Sequence, residues 1–152
     1  MVKLGLLEQG KTNENINSLK TIEHIIDYAI AAEKKGFSRF WLTEHHYSFP
    51  PHPYTNPDIL ISIIAGMTEK IKIGSAGVLI NLHSPLSIVT NYKLLNNLFY
   101  DRIDLGLPYS LTDVDYINQL GTMDISGDNK ALLYEERTRM IRNLMYNEED
   151  NF

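Results

Sequence analysis

The 152-residue chain sets 14 Lys and Arg against 19 Asp and Glu, a formal net charge of −5, with 43% hydrophobic residues and no cysteine. This suits one globular domain with its own core, and it excludes disulfides, thiolate metal centres and a basic nucleic-acid-binding surface. No apolar run approaches the ~20 residues that cross a bilayer and no signal-peptide pattern opens the chain, so a soluble, cytoplasmic protein with no membrane partner is expected.

The pattern strand-then-helix recurs along the chain. Val2–Leu7 reads as a first strand, with Gly5 marking a place where another group approaches the backbone closely. After a polar loop to Asn17, Leu19, Ile22, Ile26, Ala29 and Ile30 fall on one face of a helix, and Gly36 stops it behind Lys34 and Lys35. Arg39–Leu42 is the second strand. Asn56-Pro57-Asp58 then reads as cap, first-turn proline and first-turn acid of a helix. The stretch Ile59–Ala65 is apolar nearly all round, so that helix is expected to be buried. Ile71–Ile80 forms a third strand interrupted by the small residues Gly74-Ser75-Ala76-Gly77, the mark of a bulge or a surface pressed by a backbone or ligand. Ser84-Pro85 opens a third helix reaching about Leu98, Arg102–Leu107 is the fourth strand, and a last helix runs from Lys130 to Tyr146.

Chemistry in parallel α/β folds sits where strands end at their C-terminal edge. The second strand ends there in Thr43-Glu44-His45-His46, followed by the Pro-rich loop Tyr47–Pro57. A carboxylate beside two imidazoles is the strongest functional candidate, although a lone histidine in such a place more often satisfies a strand end than does chemistry. His24 reads as a solvated helix residue, His83 as a loop residue, His52 as part of a stiff loop over the pocket, and Trp41 as core. A metal site in a hydrolase built from His45, His46, His52 and His83 is the least supported reading, because adjacent strand residues point to opposite faces. Periodicity leaves a flavodoxin-like open sheet and part of a (βα)8 barrel both open. No Gly-rich phosphate fingerprint follows the first strand.

Four segments in order, Val2-Lys3-Leu4-Gly5-Leu6-Leu7-Glu8-Gln9, Gly36 to His46, Ile73-Gly74-Ser75-Ala76-Gly77-Val78 and Asp101 to Leu107, resemble the bacterial-luciferase-like flavin-dependent monooxygenases. The resemblance implies a TIM-type barrel, here the N-terminal half: one (βα)4 half-barrel domain over residues 1–152, with an irregular segment at 108–129 and a frayed tail at 147–152. It implies reduced FMN as cofactor, oxygen activation, and oxidation of an aldehyde or another small organic substrate. Glu44 and His45 map to the catalytic pair beside the flavin. Ser75, Ala76 and Gly77 map to a bulge that packs on the flavin ring and holds a non-prolyl cis peptide, and Gly106 maps to the end of the fourth strand.

Two departures bear on function. The family's arginine just beyond the fourth-strand glycine is replaced by Leu107-Pro108-Tyr109-Ser110, and the later strands that bind most of the flavin phosphate are not in this chain. A full barrel takes ~250 residues. A half barrel has two open edges and an inner face, which Leu4, Leu6, Phe40, Leu42, Ile73 and Leu105 are expected to line. The expected partner is therefore a second copy or a separate homologous barrel half. The alternative function is a non-catalytic subunit or scaffold binding a partner protein.

Overall fold

The expected strand–helix alternation is realised in a computed structural model of the chain, which describes residues 2–12, 17–46, 52–109 and 129–146. In chain order the elements are β1 (Gly5–Glu8), α1 (Ser18–Lys34), β2 (Arg39–Leu42), α2 (Asp58–Met67), β3 (Lys72–Ala76), α3 (Pro85–Leu98), β4 (Ile103–Gly106) and α4 (Lys130–Tyr146). The strands form one sheet in the order β1-β2-β3-β4, every neighbouring pair parallel. The segments expected as a loop at 108–129 and a tail at 147–152 lie outside the described residues for 110–128 and 147–152. Among the described residues no helix is long and apolar enough to cross a membrane.

Local chemistry sets the helix ends. The Asn17 side chain accepts the Lys20 N–H at 2.9 Å, capping α1. At the other end Phe37 N–H reaches the Ala32 carbonyl and Gly36 N–H the Glu33 carbonyl, with Gly36 at φ +82°, the paired bonds of a Schellman stop. Asn56 Oδ1 accepts the Asp58 N–H at 2.8 Å and so turns the chain into α2. β3 is shorter than expected and ends at Ala76, where the Ala76–Gly77 peptide is cis.

The described residues group into two compact units, 1–78 with 95–106 and 79–94 with 107–152. The first holds the whole sheet with α1 and α2. Phe40, Leu42 and Ile73 are fully buried there, with Ile61 and Ile64 of α2. Phe40 meets Tyr28 of α1 edge-on at 5.6 Å between ring centroids. Phe40 is in register with Ile73 and Leu42 with Ser75, so these side chains share the helix-facing side of the sheet.

The other face therefore carries the intervening residues, which corrects the expected inner lining. A Cβ on Gly5 would lie 3.3 Å from Arg39 Cβ, and one on Gly74 would lie 2.9 Å from both Asp104 Cβ and Trp41 Cζ3. Gly5, Arg39, Trp41, Gly74 and Asp104 thus share the inner face, joined by Leu7 through its register with Trp41. The half-barrel expectation puts the bulky set inward. The helical layer claims it instead, because that is the side on which close packing of large side chains is available. Trp41 is accordingly not part of the helix-side core; it lies half-buried on the inner face. Arg39 Nε bonds Asp104 Oδ2 at 2.8 Å on the same face. The expectation of an all-buried α2 is also corrected: Ile59, Ile63 and Met67, one turn apart, form an exposed stripe.

The turn into β3 is held by one carboxylate. Glu33 Oε1 accepts the N–H groups of Glu69 (2.9 Å), Lys70 (2.6 Å) and Ile71 (2.9 Å). Partial burial pushes its carboxyl up, but these backbone donors and the nearby Arg102 outweigh burial and hold it below the usual 4.5. A carboxyl lowered in the folded state stabilises above its unfolded pKa, and that stabilisation is lost as pH falls through the folded value. Glu33→Gln should therefore lower the urea midpoint near neutral pH and flatten its fall on acidification. A variant with the native acid slope would show that this carboxylate does not contribute.

In the second unit Ile80, Ile88, Val89, Tyr92 and Ile141 are buried. Arg137 of α4 donates to the carbonyls of Ile80 and His83, the latter at 2.6 Å. Tyr134 Oη donates to the Leu107 carbonyl at 2.8 Å, and its ring meets Tyr109 edge-on at 5.0 Å.

Candidate functional site

The candidate residues follow the C-terminal ends of β1, β2, β3 and β4. The ends of β1 and β2 are tied together: Thr43 N–H and Oγ1 both point to the Glu8 carbonyl, at 3.2 and 3.4 Å. Thr43 and Glu44 are both buried, Glu44 to 4% exposure. A buried carboxylate needs a partner, and Glu44 Oε1 finds His46 Nε2 at 2.6 Å. With the carboxylate ionised, Nε2 is the donor of a charge-assisted bond.

His45, expected as the partner of Glu44, is turned elsewhere. Its ring is exposed and stacks on His52, with centroids 4.5 Å apart and planes at 18°. Burial of part of the imidazole, followed by the neighbouring His52, lowers its pKa below the usual 6.5; Glu44 opposes this, while His46 and Lys11 add to it. A neutral imidazole at neutral pH follows, free to accept a proton.

His52 Nδ1 lies 2.9 Å from the Gly10 carbonyl, and Gly10 N–H donates to Glu8 Oε1 at 2.8 Å. Gly10 has φ +66°, and a Cβ there would lie 2.8 Å from the Tyr54 ring, so only glycine lets the ring close on this turn. Burial, and then the Glu8 carboxylate, push the Tyr54 phenol up to about 12, with the neighbouring Thr43 acting in the opposite direction. Tyr54 is thus a neutral phenol packed behind the mouth.

The small-residue bulge lies at the end of β3. The Ala76–Gly77 peptide is cis, Ala76 is exposed on the inner face, and Gly106 lies beside it in register. Val78 N–H donates to the Gly106 carbonyl at 2.9 Å, and a Cβ on Gly106 would come within 2.5 Å of the Ser75 carbonyl. Ser75 itself is fully buried on the helix-facing side, so of the bulge it is Ala76, with Gly106, that offers surface to a ligand. Leu42 is in register with Ser75, which puts the end of β2 next to this shelf. A methyl and a hydrogen side by side leave a flat patch suited to one face of an aromatic ring. The residues present therefore fit the ring portion of FMN.

The sequence names His46 only as a member of the cluster and does not single out Tyr54. His46 pairs with Glu44, and a period-two reading gives no reason to prefer it over His45. Tyr54 acts through a contact with Gly10 across a long loop, and only a glycine after a strand end hinted at it.

The luciferase-like monooxygenase family model matches residues 3–151. The uncharacterized protein YwcH of Bacillus subtilis is 38% identical over 107 residues, 70% of this chain and 32% of YwcH. The structure of apo-MsnO8 superposes with a TM-score of 0.84 at 31% identity, covering 100% of this chain and 45% of MsnO8. The oxygenating constituent of 3,6-diketocamphane monooxygenase from Pseudomonas putida, solved in complex with FMN, shares the fold at TM-score 0.79 and 20% identity, over 93% of this chain and 39% of that one. The chain thus spans about a third of its curated relative and under half of these barrels. Four parallel βα units ending in a Glu-His-His cluster and a cis bulge, matched over nearly the whole length, make this chain a member of the luciferase-like monooxygenase family.

Proposed function

We propose that the chain forms the N-terminal barrel half of a cytoplasmic, FMN-dependent oxidoreductase of luciferase-like type, its site completed by a second polypeptide. The observation that carries this reading is the shelf of Ala76 and Gly106 beside the cis bulge, on the same strand edge as the buried Glu44 and its partner His46. Reduced FMN would supply the oxygen chemistry when bound. The chain's own residues do the rest. Ala76 and Gly106 take the face of the ring. Glu44 holds a proton on His46 Nε2, and the neutral His45 imidazole receives or returns a proton at the mouth.

The partner follows from the sheet. Among the described residues β1 and β4 each have one neighbour, so each carries a row of backbone groups that another strand can pair. A second copy, or a homologous barrel half, offers strands of the matching kind. The other reading, a non-catalytic scaffold, draws on one feature: where relatives place an arginine after the fourth strand, Leu107 and Tyr109 are engaged by Tyr134.

One experiment separates them. The purified chain is titrated with FMN while flavin fluorescence and solution mass are followed. Quenched flavin on an oligomer is the expected result. An oligomer that leaves flavin fluorescence unchanged would favour the scaffold, and a stable monomer with a cooperative melt would remove the second polypeptide from the proposal.

A further inference from the structure

His52 has no place in the reaction as read above, yet it makes two directed contacts at the mouth. Its ring lies nearly parallel to His45 at 4.5 Å, and its Nδ1 faces the Gly10 carbonyl at 2.9 Å. A carbonyl only accepts, so His52 Nδ1 carries the hydrogen and the ring plane is fixed by that bond. Gly10 in turn is held by Glu8 and closed off by Tyr54, so the anchor is the end of β1 rather than the loop itself.

We infer that His52 is a positioning residue for His45: its ring stacks on the His45 imidazole and ties it to the end of β1 through Gly10. The inference rests on the reading of His45 as a proton-handling group and adds the residue that sets its orientation and charge. Two stacked neutral rings, or one imidazolium on a neutral ring, attract, whereas two imidazolium rings at this distance repel. The charged and titratable groups around the pair are Lys11 and Glu8 from the β1 side, Glu44 and His46 from the end of β2, and Tyr54 from the segment leading to α2. Glu44 is bonded to His46 and also favours a charge on His45.

The test is a proton-by-proton NMR titration of the imidazole signals in the full chain, without flavin, alongside His52→Phe and His52→Gln. In the native chain the His45 ring protons should show contacts to His52. His52→Phe keeps a ring for the stack and removes the neighbouring imidazole, whose influence lowers His45, so the His45 midpoint should move upward. His52→Gln keeps a donor for Gly10 but loses the stack, so His45 should lose its fixed ring contacts. Absence of native His45–His52 ring contacts, or a His45 midpoint unmoved in His52→Phe, would overturn the inference. The native ring contacts alone decide the positioning if a variant fails to fold. Because no flavin is present, failure of the flavin reading and failure of this one are distinguishable.

Discussion

Replacing Arg102 by Met is expected to lower the unfolding free energy by about 3–5 kcal/mol, the scale of breaking a partly buried charged hydrogen-bond network. The guanidinium precedes β4 and reaches three turns of backbone at once. Nη1 donates to the carbonyls of Ala65 at 3.0 Å and Thr68 at 2.8 Å, Nη2 to Thr68 Oγ1 at 2.6 Å, and both Nε and Nη2 to the Ile71 carbonyl at 3.2 Å. Ala65 lies in the last turn of α2, whose final carbonyls have no partner within the helix. One side chain thus caps α2, shapes the turn and sets the start of β3. Methionine keeps much of the volume and none of the donors, leaving the carbonyls to water or to nothing. Arg102→Lys should lose roughly half as much, because a single ammonium cannot span the same acceptors. Urea unfolding followed by circular dichroism measures both, and a native-like midpoint for Arg102→Met would contradict this account. The network lies at the N-terminal end of the strands, so the flavin quenching expected under the proposed function should be unchanged in the folded fraction of either variant.

Gly74→Ala is the second large effect, expected at about 3 kcal/mol, the upper range for overpacking. Its Cβ would lie 2.3 Å from the Asp104 carbonyl oxygen, a backbone atom that cannot swing aside, and 2.9 Å from the Trp41 ring. The β3–β4 register would have to open at Gly74–Asp104, and with it the Arg39–Asp104 ion pair on the same face. Gly5 gives the control. A Cβ there meets Arg39 Cβ at 3.3 Å and Trp41 Nε1 at 3.5 Å, contacts that a small shift relieves, so Gly5→Ala should cost about 1 kcal/mol or less. The chain has one tryptophan, so its emission reports Trp41 alone. A red shift and a lowered melting temperature for Gly74→Ala, with neither for Gly5→Ala, are the expected pattern. Equal effects at both glycines would mean that the indole does not need the space at Gly74.

The sequence by itself determined the order and kind of the elements, because their signals are local. Asn17 caps a helix through its own neighbours, Gly36 stops one by adopting a positive φ, and Arg39–Leu42 needs only its own bulk to be a strand. It also located the Glu-His-His cluster, since a polar run directly after a buried strand stands out wherever the strand goes. Only the tertiary structure decided which side of that strand was core. Arg39, Phe40, Trp41 and Leu42 are all bulky, so no contrast along the strand tells one face from the other. What places Trp41 opposite Phe40 is the room left by Gly5 and Gly74 on neighbouring strands and the Tyr28 ring waiting on α1. The pairings at the mouth were hidden for the same reason. Glu44 takes His46 rather than His45 because His45 is drawn onto His52, and His52 is set by the carbonyl of Gly10 at the end of another strand. Each of these choices is made by a group distant in sequence, and parallel register brings it close only once the sheet has formed.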